Sequence, residues 1–187
     1  MWLGSAPCWS GLQMDEVALP ISLVDQYQCL FNMDPDRMKR YWPHIQKAIS
    51  FLIINGPSTQ QDRWEQESGL SSFTLAAEIT GLLGAASLAE TNNEPGIAKY
   101  CRETADFWNE QKENWTYITD TPFSKESGVD GYYMRINPYH LPAEAVKNSF
   151  INIKNRTSEN GKMHLWELIC VDALALVRVG LRLSLFG

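Results

Sequence analysis

An all-α fold, built as two layers of helices, is what this sequence predicts, and three observations carry it. Apolar residues recur at spacings of three and four over long stretches. These stretches alternate between some that are apolar nearly all round and others apolar on one face. Polar loops rich in Gly, Pro and Asn separate them. Helices that meet neighbours on all sides belong inside, and one-sided helices belong outside them. An α/α toroid is such an array. An α-solenoid would give a similar alternation, but no motif repeats at a fixed period.

The elements follow in order. Residues 15–31 carry Val17, Leu19, Ile21, Leu23, Val24, Tyr27, Leu30 and Phe31, so this helix should be buried. Asp15 and Glu16 suit its first turn, and Pro20 is tolerable in the first two turns. Pro35 opens a second helix, in which Met38, Tyr41, Trp42, Ile45, Ile49, Leu52 and Ile53 form one face. Pro43 should bend or split it, and Asn55-Gly56-Pro57 ends it. Residues 73–91 are apolar around most of the circumference and should be an inner helix, with Gly81 and Gly84 allowing close backbone approach. Residues 95–115 return to one-sided character. Residues 115–119 and 131–136 are rich in aromatic and β-branched types and read as two short strands or extended arms. Residues 151–156 read as extended and 157–162 as a polar loop. Residues 165–181 are apolar enough for a last inner helix.

Composition narrows the function. The chain has 187 residues, enough for one domain with a sizeable core. Its net charge of −6 argues against a nucleic-acid partner, and there is no basic amphipathic stretch for a membrane surface. No apolar run reads as a transmembrane segment, and residues 1–9 lack the basic start and apolar core of a signal peptide. Four widely spaced cysteines, in no C-x-x-C pair, give no metal site, and Cys29, Cys101 and Cys170 read as buried free thiols. His44, His140 and His164 form no ligand pattern, and no Gly-rich phosphate loop or nucleophile elbow is present, so no cofactor is expected.

The polar stretch from Asp62 to Thr74 stands between two helices. It gathers three acidic residues, an Arg and a Trp into a Ser- and Gly-rich turn. Loops held by a rigid scaffold are where catalytic groups collect. The plainer reading is a capped turn, with Ser71 or Ser72 capping the next helix and Glu65 and Glu67 solvated. Asp15, Glu16 and Glu78 are further carboxylates, for which helix-end capping or solvation is the simpler role.

Five segments in order carry a resemblance. They are Trp9-x-Gly11-x-Gln13-Met14-Asp15-Glu16; Asn55-Gly56-Pro57; Arg63-Trp64-Glu65-Gln66-x-x-Gly69 with Ser72-Phe73-Thr74 and Ala76-Ala77-Glu78-Ile79; Tyr132-Tyr133-Met134-Arg135-Ile136; and Asn155-Arg156 with Val171-Asp172 and Leu176-Val177-Arg178-x-Gly180-Leu181-Arg182. The chain resembles part of the catalytic domain of the glucoamylase and glucodextranase family of inverting α-glucan hydrolases, its bacterial and archaeal branch.

The resemblance implies one partial catalytic domain over residues 1–187, a segment of an (α/α)6 barrel, or six-hairpin toroid. It implies exo-acting hydrolysis of α-glucosidic bonds in α-glucans or gluco-oligosaccharides, with release of β-glucose. By the family pattern Glu65 is the general acid, kept neutral by burial beside Trp64. Trp9 matches a loop Trp packing near that acid, and Arg156 matches an Arg that hydrogen-bonds the bound glucose. Trp64 and Gln66 complete the expected substrate-binding set. Gln66 stands where the family usually has a second Glu, which removes a negative charge beside the acid.

In the family pattern the general base lies beyond the last helix seen here, and a Trp-x-Arg-Asp glucose-binding segment lies before Trp9. The expectation is an internal fragment, inactive alone, with exposed inner-helix faces that favour self-association. The alternative is a helical carbohydrate-binding or interaction protein without catalysis.

Overall fold

A computed structural model describes residues 11–152 and 162–170. Four long helices dominate it: α1 (Met14–Phe31), α2 (Pro35–Asn55), α3 (Ser72–Thr91) and α4 (Pro95–Thr116). They form a segment of an α/α array that does not close into a barrel. α1 and α3 run parallel and pack closely, while α2 and α4 run back beside them.

α3 is the centre. Leu75, Ile79, Leu82, Ala85, Ala86, Leu88 and Ala89 are all fully buried, as its all-round apolar pattern requires. By length and mean hydropathy α3 could cross a membrane, but its burial among the other helices identifies it as a core helix. α2 and α4 each bury one stripe: Met38, Trp42, Ile45, Ile49 and Leu52 from α2, and Ala98, Cys101, Ala105 and Trp108 from α4. Asp34 caps α2 by accepting from the N–H groups of Asp36 and Arg37. Pro43 does not split α2, which continues from Pro35 to Asn55.

α1 departs from expectation. It buries only the face carrying Met14, Asp15, Ala18, Ile21, Ser22 and Asp25. Leu19, Leu23, Tyr27, Leu30 and Phe31 are exposed, Leu30 by 75%. Where α3 comes nearest, that face carries the short side chains of Ala18 and Asp25 opposite Gly81 and Gly84. A Cβ built on Gly81 would lie 3.0 Å from both the Cβ and the carbonyl oxygen of Ala18, and one on Gly84 3.0 Å from the Asp25 Cβ. Gly81→Val should therefore destabilise by about 1–3 kcal/mol through overpacking. Gly96→Ala, with nothing within 4 Å of the new Cβ, should not. Thermal melts of the two variants compare them, and equal midpoints would refute the close approach.

The expected arms appear as paired short strands. β1 (Leu70–Ser71) pairs antiparallel with β4 (Ile136–Asn137). β2 (Tyr117–Thr119) pairs with β3 (Gly131–Tyr133), and β5 (Phe150–Asn152) with β6 (Lys162–His164). Between them lie the short helices α5 (Pro122–Ser127) and α6 (Ala143–Val146). A second, smaller core of Ile118, Met134, Ile136, Ala143, Val146, Ile151, Leu165 and Leu168 lies beneath these strands.

The last expected helix is not helical where it is described. Residues 165–167 form one 3₁₀ turn, and the chain then runs extended beside β3. Arg135 donates its N–H to the Leu168 carbonyl, and Cys170 donates its own to that of Tyr133. The apolar pattern is satisfied by strand pairing instead. Residues 171–181 of that expected helix, and most of 153–162, lie outside the described residues. Cys101 and Cys170 are buried as expected, but Cys29 is exposed. Burial raises the Cys101 thiol to about 11.

Candidate active site

The loop of residues 61–68 leaves the end of α2 and enters α3, and it is pinned at both ends. Thr59 and Gly69 exchange two backbone hydrogen bonds of 2.9 Å each. Directly after Gly69, β1 pairs with β4. Gly69 has φ 139°, and a Cβ there would lie 2.4 Å from the Asn137 carbonyl oxygen, so only glycine fits this crossing. The Thr59 hydroxyl donates to the Gln61 carbonyl at 2.6 Å and accepts from the Met14 N–H at 3.2 Å, which joins the loop to the start of α1. Ser71 caps α3 by accepting from the Thr74 N–H, and the Ser72 hydroxyl donates to the Met134 carbonyl.

Inside the loop, one side chain does the folding. Asp62 is 1% exposed. Its Oδ1 accepts from the N–H of Gln66 at 3.0 Å and of Glu67 at 3.3 Å, while its carbonyl accepts from the Glu65 N–H at 2.7 Å. Its Oδ2 lies 3.1 Å from the Arg135 Nε, an ion pair whose angles are not those of a hydrogen bond. Arg135 reaches it from the residue before β4. This tight turn forces Glu65 to φ 58°, in the left-handed region that a glutamate rarely adopts. Strain of this kind costs about 1–3 kcal/mol and persists only where surroundings impose it. Glu65 and Gln66 are half-buried, and Trp64 stands 51% exposed at the tip. Trp64 thus encloses Glu65 less than the expected burial required. The Arg63 guanidinium sits 4.7 Å over the Phe73 ring and 6.0 Å from that of Trp64. The structure brings Trp64, Glu65 and Gln66 together. Trp9 and Arg156 lie outside the described residues.

Two more carboxylates lie beneath the loop. Asp15 is buried and accepts from the Thr74 hydroxyl at 3.2 Å. Burial pushes its carboxyl up, opposed by its hydrogen bonds and by the Arg63 charge. Glu78 is neither capped nor solvated, as the simpler reading had it. It is 0% exposed within α3, and neither oxygen has a hydrogen-bond partner among the described residues. Its Oε1 would lie 2.7 Å from a Cβ on Gly56. Burial, and then the Asp15 charge, push its carboxyl well above the usual glutamate range.

A pH dependence follows from Glu78. A carboxyl raised on folding binds its proton more tightly when folded, so its contribution is full below the unfolded value of 4.5. That contribution is lost as pH rises from there through the raised folded value. Glu78→Gln should flatten this decline, making the variant more stable than the parent at pH 8 and little changed at pH 4. Urea unfolding at the two pH values reads it, and parallel declines would contradict it.

Sequence comparison points the same way as the loop. Residues 4–163 match the family model for Glycosyl hydrolases family 15. The chain belongs to this family. Over 181 residues, 97% of its length, it is 33% identical to a glucoamylase of Clostridium sp. (strain G0005), of which it covers 23%. It is 24% identical over 123 residues to an uncharacterized glycosyl hydrolase of Methanocaldococcus jannaschii, covering 64% of this chain and 20% of that one. Among solved structures it resembles a bacterial glucoamylase crystallised with acarbose, at a TM-score of 0.75 and 35% identity, over 91% of this chain and 23% of that one. The chain thus spans about a quarter of the length of these glucoamylases.

Within this glycosyl hydrolase segment, sequence reasoning missed Asp62 and Arg135 as organisers of the Glu65 loop. The signal for Asp62 was its place four and five residues before N–H groups left open by a tight turn. For Arg135 there was no local signal, because its partner lies 73 positions away in the sequence. Glu78 could have been read from its setting between Ala77 and Ile79 on an all-round apolar helix.

Proposed function

We propose that this family 15 segment belongs to an exo-acting, inverting α-glucan hydrolase that releases β-glucose, with Glu65 as general acid. The observation that carries it is the strained Glu65 backbone on a loop pinned at both ends. Such strain marks sites where geometry matters more than local stability. In this reading Glu65 protonates the glycosidic oxygen as the bond to the anomeric carbon breaks. Inversion then needs a second carboxylate, about 6.5–9.5 Å from the first, to take a proton from the attacking water. The base is assigned to a part of the enzyme outside this segment. Trp64 and Gln66 meet the sugar from the loop, the first by stacking and the second by hydrogen bonds. Trp9 and Arg156 complete the substrate contacts. The relatives named as glucoamylases and the acarbose-bound neighbour support an α-glucan or gluco-oligosaccharide substrate.

The test replaces the matching segment of the Clostridium glucoamylase with this chain and follows maltose hydrolysis by proton NMR. The initial glucose should be richer in the β anomer than the mixture set by the maltose reducing end. An initial excess of α-glucose over that mixture would exclude inversion, and sugar binding without turnover would favour the non-catalytic reading.

The chain alone is expected to be inactive on maltose and to self-associate. Leu19, Leu23, Tyr27 and Leu30, spaced four, four and three apart, make one exposed apolar stripe along α1. The Tyr27 and Phe31 rings, 5.0 Å apart, widen its end. Analytical ultracentrifugation should find oligomers that Leu23→Lys disperses. A parent chain that stays monomeric would refute the stripe's role.

A further inference from the structure

Two stretches of chain 48 positions apart are stitched together at the base of the Glu65 loop. The Leu12 carbonyl accepts from the N–H groups of Gln60 at 3.1 Å and Gln61 at 3.2 Å. The Leu12 N–H donates back to the Gln60 Oε1 at 3.1 Å. Two residues on, the Met14 N–H donates to the Thr59 hydroxyl at 3.2 Å. Packing closes the same seam: a Cβ built on Gly11 would lie 2.3 Å from the Gln61 Cγ.

This seam stands in for a local cap. Gln13, the N-cap of α1, makes no side-chain cap hydrogen bond, and the open N–H of Met14 is taken up by Thr59 from across the chain. Thr59 is buried, so its bonds serve the fold as much as the site. Gln60 differs. It is exposed, and water could meet the Leu12 N–H there, so its side chain adds little to stability. What it adds is register. With its bond in place, Leu12 is held at both its N–H and its carbonyl, which fixes this segment against the loop.

Leu12 stands three residues after Trp9, and Gln60 five residues before Glu65. A sugar contact and an acid that serve one bound glucose unit gain rate when their geometry is set before reaction. We propose that Gln60 is a positioning residue for this reaction. It locks the chain after Trp9 to the root of the Glu65 loop, so that Trp9 and the acid meet the sugar as one rigid body. The proposal rests on the hydrolase reading above, with Trp9 as a substrate contact.

Gln60→Leu removes the acceptor at similar size, and Gln60→Glu keeps one. In the full chain, amide exchange at Leu12 should quicken in Gln60→Leu and stay at the parent rate in Gln60→Glu, with all three urea midpoints alike. In the glucoamylase carrying this segment, kcat/KM for maltose should fall about tenfold in Gln60→Leu and recover in Gln60→Glu, since a misplacement of ~1 Å can cost as much as ~10²-fold. Trp9→Ala decides the route. Independent contacts multiply in effect, whereas Gln60→Leu added to Trp9→Ala should cost nothing further when Gln60 acts through Trp9. Multiplying effects would overturn the proposal. So would an unchanged Leu12 exchange rate, or a loss of activity shared equally by both Gln60 variants. Glu65→Gln tests the acid separately: activity retained there would displace Glu65 as the acid and leave the coupling of Trp9 to Gln60 standing.

Discussion

Glu65→Gln, made in the glucoamylase carrying this segment, should lower maltose hydrolysis by about 10²–10⁴-fold, the usual contribution of a positioned acid. The side chain keeps its size and its place on the loop, so substrate affinity should change far less than kcat. The decisive comparison uses an activated substrate. Glucosyl fluoride departs without needing a proton, so its hydrolysis should survive the substitution nearly unchanged. If maltose hydrolysis is also unchanged, Glu65 is not the acid. If both substrates fail equally, the residue acts on binding or on the fold instead.

Asp62→Ala should cost about 3–5 kcal/mol of stability, the range for removing one member of a buried ion pair. A domain of this size has a total stability of about 5–15 kcal/mol, so the loss is large. Arg135, only 17% exposed at its side chain, would keep its charge without Asp62 opposite. Two N–H groups, those of Gln66 and Glu67, would lose their common acceptor. Asp62→Asn retains an oxygen at Oδ1 and should fall between the parent and the alanine variant. Urea midpoints order the three proteins, and amide exchange at Gln66 and Glu67 shows whether the turn itself opens. Equal midpoints would mean that the pair contributes nothing.

The helical layer was legible because its information is periodic and local. α2, α3 and α4 follow from spacings within each segment, and most of each expected face is buried, although Tyr41 on α2 and Tyr100 on α4 are exposed. α1 was misjudged because an all-round apolar helix needs neighbours on every side, and the sequence of one helix does not state how many it has. Residues 165–170 failed for another reason. A short apolar run satisfies a helix or an extended segment equally, and Met134, directly after β3, was present to bridge to Ile169. The acid loop was legible in its motif and not in its mechanics. Trp64, Glu65 and Gln66 stand together as their spacing demands, but the clamp between Asp62 and Arg135 depends on a contact between distant parts of the chain.

The double anchoring of residues 61–68 makes the acid loop a cassette. Its two ends are fastened to each other and to β4, and within it Asp62 is held by Arg135, while Trp64 stands out at the tip. Substitutions at Trp64, which is exposed at the tip, should leave the scaffold's stability almost untouched, since an exposed loop position and the buried core act as separate sites. Substitutions at Asp62 or Gly69 do the reverse. A loop built in this way can be transplanted between related scaffolds as one piece, provided that its anchors travel with it and the new scaffold offers an arginine where Arg135 stands.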